Sequence, residues 1–285
     1  MAILLEGDCC VAALRETEAR MRTNVRARPL FGRATGAAKI SLRLLEFATG
    51  ITRAERTLDC DDVWFVLDGE AVLHMDGSSH TLRAETGVYI APGSAYGVEN
   101  PAANPLVVLS SRCPEPQEED PLAEFGSSTS AAHVQRHAVV MKPVGAASTA
   151  ETSPVVRLCD REAVPTGNRW YRVLVDEAAG CQQVTQFVGS IPPGRAPDHF
   201  HHYEEVICIL EGSGRMWAGE SSAPIAAGSC IYLPRQQVHC VENTGAGALR
   251  LVGMFYPAGS PAVAYEAEDS PSESREAMRR RGPNA

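Results

Sequence analysis

Two stretches of this chain repeat each other. VWFVLDGEAVLHMDG (residues 63–77) aligns with VICILEGSGRMWAGE (residues 206–220) at an offset of 143 positions, which sets Asp62 on Glu205 and Gly69 on Gly212. Downstream, Gly87 falls on Gly228 at 141, Pro92 on Pro234 at 142 and Asn100 on Asn243 at 143 again. So small a drift is what the loops of two related copies accumulate. The duplication therefore predicts two similar domains rather than one large one. Within the copies, short β-rich runs such as KISLRLLEFATG, DVWFVLDG, VYIAPG and LVVLSS are separated by Gly, Pro, Asn and Asp. That rhythm, one run every 8 to 15 residues or about that, belongs to antiparallel sandwiches and barrels. Residues 114–133, acidic and rich in Pro and Ser, break it, and the pattern resumes near 155 and runs to Tyr256. Residues 8–23 carry Val11, Leu14 and Met21 near one helical face behind a capping Asp8, and predict a helix. The expected order is a helical arm (1–34), a first barrel (35–113), a linker (114–154), a second barrel (155–260) and a polar tail with a short helical arm (261–285).

Composition agrees and narrows the partners. Of 285 residues, 44% are apolar and 21% charged, which excludes wholesale disorder. The formal charge of −9 argues against nucleic acid and anionic membranes, both of which call for a basic face. No apolar run approaches the roughly 18 residues of a membrane span. The N-terminal MAILLEGDCC lacks the basic flank of an export signal, and the nine cysteines are odd in number and without CxxC spacing. Reduced, core-filling thiols in a cytoplasmic protein are expected.

Four of the eight histidines, His199, His201, His202 and His239, crowd into a short part of the second copy. Side chains alternate faces along a strand. A strand running from His199 into VICIL therefore puts His199, His201, Tyr203 and Glu205 on one face and His202, Glu204 and Cys208 on the other. Two imidazoles and a carboxylate turned into a small barrel are costly unless paired or bound to a metal. A divalent transition metal satisfies all three and keeps coordination positions open for chemistry. His239, bracketed by Pro234 and Asn243, comes in on a returning strand as a fourth ligand.

These residues resemble the cupin superfamily, whose two motifs are G-x5-HxH-x3/4-E-x6-G and G-x5-PxG-x2-H-x3-N. The first is met from His199 to Gly212, with one residue fewer after Gly194. The second is met from Gly228 to Asn243, with Gln236 in place of a glycine. The resemblance spans both halves and implies an all-β bicupin, two jelly-roll barrels in tandem. It implies His199, His201, Glu205 and His239 as ligands of one metal, Fe or Mn by preference over Ni, Zn, Co or Cu. It also implies a homodimer. In the first copy the ligand positions become Arg56, Leu58, Asp62 and Tyr96, so that barrel is expected to hold no metal. An Arg56–Asp62 ion pair, or a carboxylate ligand held by Arg56 and Tyr96, is the expectation there.

The fold alone gives no function. A 3-His-1-Glu centre suits an Fe- or Mn-type oxygenase (dioxygenase) acting on a small organic substrate, with Glu205 also able to take a proton and Tyr203 orienting the substrate. Gln186, on the preceding run TQFVG, is a further candidate pocket residue. The alternatives are a non-redox lyase, isomerase or hydrolase, and a ligand-binding cupin without turnover. A ureidoglycine aminohydrolase-like activity is one such hydrolase, but its ligand set begins with Glu and closes with Gln, where this chain has His199 and His239.

Overall fold

The structure, a computed structural model, describes residues 2–54, 58–114, 120–125, 153–262 and 265–266. Strands dominate them, and the helices among them are 3-10 turns of three residues each. Each repeat forms two sheets. The first barrel joins a seven-stranded sheet to a four-stranded one, and the second an eight-stranded sheet to a six-stranded one. No helix of the described residues is long and apolar enough to cross a membrane.

The copies match in detail as well as in outline. Asn100 Nδ2 donates to Phe47 O and Asn104 O at 2.9 Å each, and Asn243 Nδ2 donates to Ile191 O and Gly247 O at 2.8 Å each. Gly69 and Gly212 both stand at φ near +88° (89° and 87°), and a Cβ on either would strike the backbone of the next strand at 2.7 to 2.9 Å. Only glycine satisfies both demands, so these aligned positions follow from geometry.

Each half opens by lending a strand to the other barrel. Strand Cys10–Ala13 pairs with Ser229–Leu233, Val11 opposite Ile231, and strand Val155–Arg157 pairs with Thr86–Ile90, Val156 opposite Gly87. The helix expected over 8–23 is thus not formed: strands Cys10–Ala13 and Arg20–Arg22 occupy that stretch. Helical preference differs by at most about 0.7 kcal/mol per ordinary residue. The sheet edge instead buries Cys10, Val11 and Ala12 and pairs their backbone groups. The C-terminal helical arm lies largely outside the described residues. The start of the tail does not stand clear: Tyr265–Glu266 pairs with His199–Phe200.

Alternation sorts the core into three apolar layers. In strand Asp61–Asp68, Trp64 and Val66 fill the first barrel while Val63 and Phe65 face the other barrel. In strand Glu204–Glu211, Ile207 and Ile209 fill the second barrel while Val206 and Cys208 face the first. The middle layer, with Leu44, Phe65, Leu109, Val188, Val252 and Met254 among its members, belongs to both barrels. Strands buried on both faces explain the nearly continuous apolar runs of the sequence.

Candidate metal centre

The site lies in the second barrel, where the two sheets splay apart. Strand His199–Phe200 ends early, residues 201–203 are irregular, and strand Glu204–Glu211 follows. The alternation survives the break. His199, His201, Tyr203, Glu205 and Ile207 all line one cavity, together with His239 from strand His239–Asn243, whose backbone pairs His239 with His199. His202 is exposed on the opposite side, its Nδ1 3.4 Å from Gln236 Nε2. Glu204 also faces away and accepts the backbone N–H groups of Ala38 and Lys39, at 3.2 and 2.9 Å.

The three imidazoles converge: each of His199, His201 and His239 offers a nitrogen within 4.8 Å of the others. His199 Nδ1 lies 3.1 Å from Pro197 O and His239 Nδ1 lies 2.8 Å from Gln237 O. A carbonyl only accepts, so Nδ1 carries the proton in both rings and Nε2 is the ligating atom. Burial, reinforced by His199 and His201, holds His239 well below the usual histidine range, so it stays neutral as a ligand must. The Tyr203 ring stacks between His201 (centroids 4.4 Å apart) and Phe255 (4.1 Å), which fixes the His201 plane.

Glu205 is 4% exposed, and burial pushes its carboxyl up to about 8. Among the described residues no cation or hydrogen-bond donor offsets that burial, the situation a bound cation relieves. The three imidazoles fit a divalent transition metal, and Glu205 lines the same cavity but lies outside the group of ligand atoms within 4.8 Å of one another. One residue here escaped the sequence reading. Gly253, opposite Phe187 in the ladder, lets both Phe187 and Glu205 approach: a Cβ there would lie 2.5 Å from Phe187 and 2.9 Å from Glu205 Oε1. A glycine inside an otherwise apolar strand was the available signal.

The cavity holds about 650 Å³ and is lined by Tyr171, Phe187, Ile191, Val241 and Leu251, and by Arg169 and Arg195. Gln186 is absent from it. Phe187, Gly189 and Ile191 take the cavity side of their strand, and Gln186 turns to the other barrel, where its Nε2 donates to Trp64 O at 3.0 Å.

The first barrel is filled where the second is open. Asp62, matched to Glu205, is fully buried and accepts Arg43 Nη2 at 2.9 Å and the Ser110 hydroxyl at 2.6 Å. Arg43 and Ser110 face each other in the ladder as Phe187 and Gly253 do in the second barrel, so a guanidinium and a hydroxyl stand where the other copy has space. The expected partner of Asp62, Arg56, lies outside the described residues; Arg43, two strands away, takes the pairing instead. Tyr96, matched to His239, is not beside the histidines. Its ring packs edge-on between Trp64 (5.4 Å) and Phe125 (6.1 Å). Phe125, Leu122 and Glu124 come from residues 120–125, which stopper the barrel: Glu124 pairs with Arg43 at 2.6 Å and Pro121 O accepts from Arg43 Nη1.

Comparison with known proteins agrees with this geometry. Residues 187–255 match a family model described as a cupin domain. Auxin-binding protein 1 of Arabidopsis thaliana is 34% identical over 76 residues, 23% of this chain and 38% of that protein, so the match spans well under half of the relative. Structures of oxalate decarboxylase from Bacillus subtilis superpose over 95% of this chain. The one at pH 4.6 gives a TM-score of 0.69 at 14% identity over 83% of that chain, and a two-residue deletion mutant 0.68 at 14% over 84%. At that identity the likeness concerns the fold. Residues 187–255 thus match a cupin domain, and the chain as a whole shares the two-barrel fold of those structures.

Proposed function

We propose that the protein is a metal-dependent enzyme whose chemistry resides in the second barrel alone, with His199, His201, Glu205 and His239 as ligands and iron or manganese as the metal. The observation that carries this is the convergence of three imidazoles in a cavity whose wall also carries the buried Glu205 carboxylate. His199, His201, Glu205 and His239 would hold the metal, which would supply open positions for dioxygen and an organic substrate. Oxygenation of a small organic substrate is the reading we favour. Glu205, as a carboxylate on the cavity wall, is the group suited to take a proton from the substrate; Tyr203 holds the His201 ring in place. The apolar walls orient a hydrophobic substrate and exclude water.

The test uses nitric oxide as a dioxygen surrogate. The iron(II)-loaded protein should bind it and give the high-spin signal of a non-haem iron nitrosyl, and should consume dioxygen when supplied with its substrate. Binding of a metal without nitric oxide uptake, together with turnover undiminished under anaerobic conditions, would move the assignment to Lewis-acid chemistry.

A further inference from the structure

Two arginines line the metal cavity, and their surroundings differ. Arg195 is engaged: its guanidinium lies 4.3 Å over the Trp217 ring, its Nη2 is 3.2 Å from Asp198, and its Nε is 3.3 Å from Cys240 Sγ. Arg169 is not. It is only partly exposed, yet among the described residues its guanidinium has neither a hydrogen bond nor an ion pair.

The position of Arg169 is set by the chain. It directly follows the two-residue turn Gly167–Asn168, where Gly167 stands at φ +60° as the first central residue of a type II′ hairpin requires, and its backbone pairs with Thr166. Strand Arg169–Val175 is thereby fixed in register. Tyr171, of the same parity, lies opposite Gly189 and lines the cavity, as Trp170 also does, and the Arg172 guanidinium lies 5.4 Å over the Trp170 ring. Arg169 thus follows a tight turn and lines the same cavity as the histidines.

A half-buried guanidinium without an acidic partner is a poor arrangement by itself. Its planar fork matches a carboxylate, which it binds through two parallel hydrogen bonds. The same cavity also carries the apolar and aromatic side chains of Tyr171, Phe187 and Leu251. We propose that Arg169 is a specificity-determining residue that holds the carboxylate of an organic acid at the cavity rim, while the apolar body of that acid lies against Tyr171, Phe187 and Leu251 and its far end meets the metal. The substrate class is thereby an organic carboxylate with a hydrophobic or aromatic body. This rests on the second barrel being the reaction site, as argued above.

The experiment measures binding of 3-phenylpropionate, its neutral amide and phenyl phosphate to the full, metal-loaded chain by calorimetry, with metal content determined on the same samples. The carboxylate should bind at least tenfold more tightly than the amide. Arg169→Gln should abolish that preference with metal content unchanged, and Arg169→Lys should keep part of it. No binding of the carboxylate, equal binding of carboxylate and amide, tighter binding of phenyl phosphate, or a preference that survives Arg169→Gln would overturn the proposal. A wild-type protein without metal that still prefers the carboxylate would refute the metal reading and leave the carboxylate subsite standing, so the two failures are distinguishable.

Discussion

His201 and His202 are adjacent in the chain and sit in opposite environments, one 8% exposed in the cavity with its ring against Tyr203, the other on the surface. Loss of one metal ligand should weaken binding by roughly 100-fold or more, since removing a group that only hydrogen-bonds a ligand already costs about 10- to 100-fold. We therefore expect His201→Ala to lose the metal and His202→Ala to keep it, as read by metal titration; equal losses would refute the face assignment. Gly253→Ala should force Phe187 and Glu205 apart, at a cost of about 1–3 kcal/mol in stability, typical of overpacking, and with weakened metal affinity. Denaturant unfolding and the same titration check both. The face assignment was legible because a strand alternates strictly, and it held even across the irregular turn at 201–203. Gln186 was misassigned because one residue of register separates it from Phe187, and a slip of one exchanges the faces. Gly253 was marked in the sequence only as a glycine in an apolar strand; its role lies in what approaches it, and both Phe187 and Glu205 come from other strands.

At the scale of elements, the first barrel shows how one copy closes. Strand Leu42–Phe47 supplies Arg43, and residues 120–125 supply Glu124 and the apolar plug, so a fixed guanidinium stands opposite Asp62 in place of a metal. Arg43→Met removes the cation between two buried carboxylates and should destabilise the protein by about 3–5 kcal/mol, the range for breaking a buried pair from one side. The pH dependence follows from Glu124. Burial alone would raise its carboxyl, but the charge and hydrogen bond of Arg43 outweigh burial and hold it below the ordinary 4.5. A carboxyl depressed in the folded state contributes stability that is fully present above the unfolded value and is lost as pH falls through the folded one. Stability should therefore drop below about pH 4.5, and Glu124→Gln should flatten that drop in denaturant titrations across pH; an unchanged slope would show that Glu124 is not the group responsible. That Asp62 needed a cation was readable from the sequence. Which cation was not, because Arg43 reaches it through strand Leu106–Cys113, a neighbour that only the sheet order reveals. The exchanged strand Cys10–Ala13 was mistaken for a helix for a similar reason: its partner, Ser229–Leu233, lies more than two hundred residues away.

The whole molecule is two barrels around a shared middle layer, with reciprocal strands crossing between them. Val206, Cys208, Val252 and Met254 of the second barrel are covered only because the first barrel is there. The full chain should thus unfold in a single transition, and residues 155–262 expressed alone should not give a stable monomer; calorimetry and sedimentation decide. Metal bound in one barrel should raise the midpoint of that single transition, since a ligand that binds only the folded state stabilises everything that unfolds with it. The duplication announced this architecture at the outset through its constant offset. What the offset left open was how unlike the two interiors had become. Most direct is the metal content of protein purified without added metal or chelator. The account predicts one equivalent of iron or manganese per chain in the wild type and none in His201→Ala. Two equivalents per chain, or metal retained by His201→Ala, would contradict it.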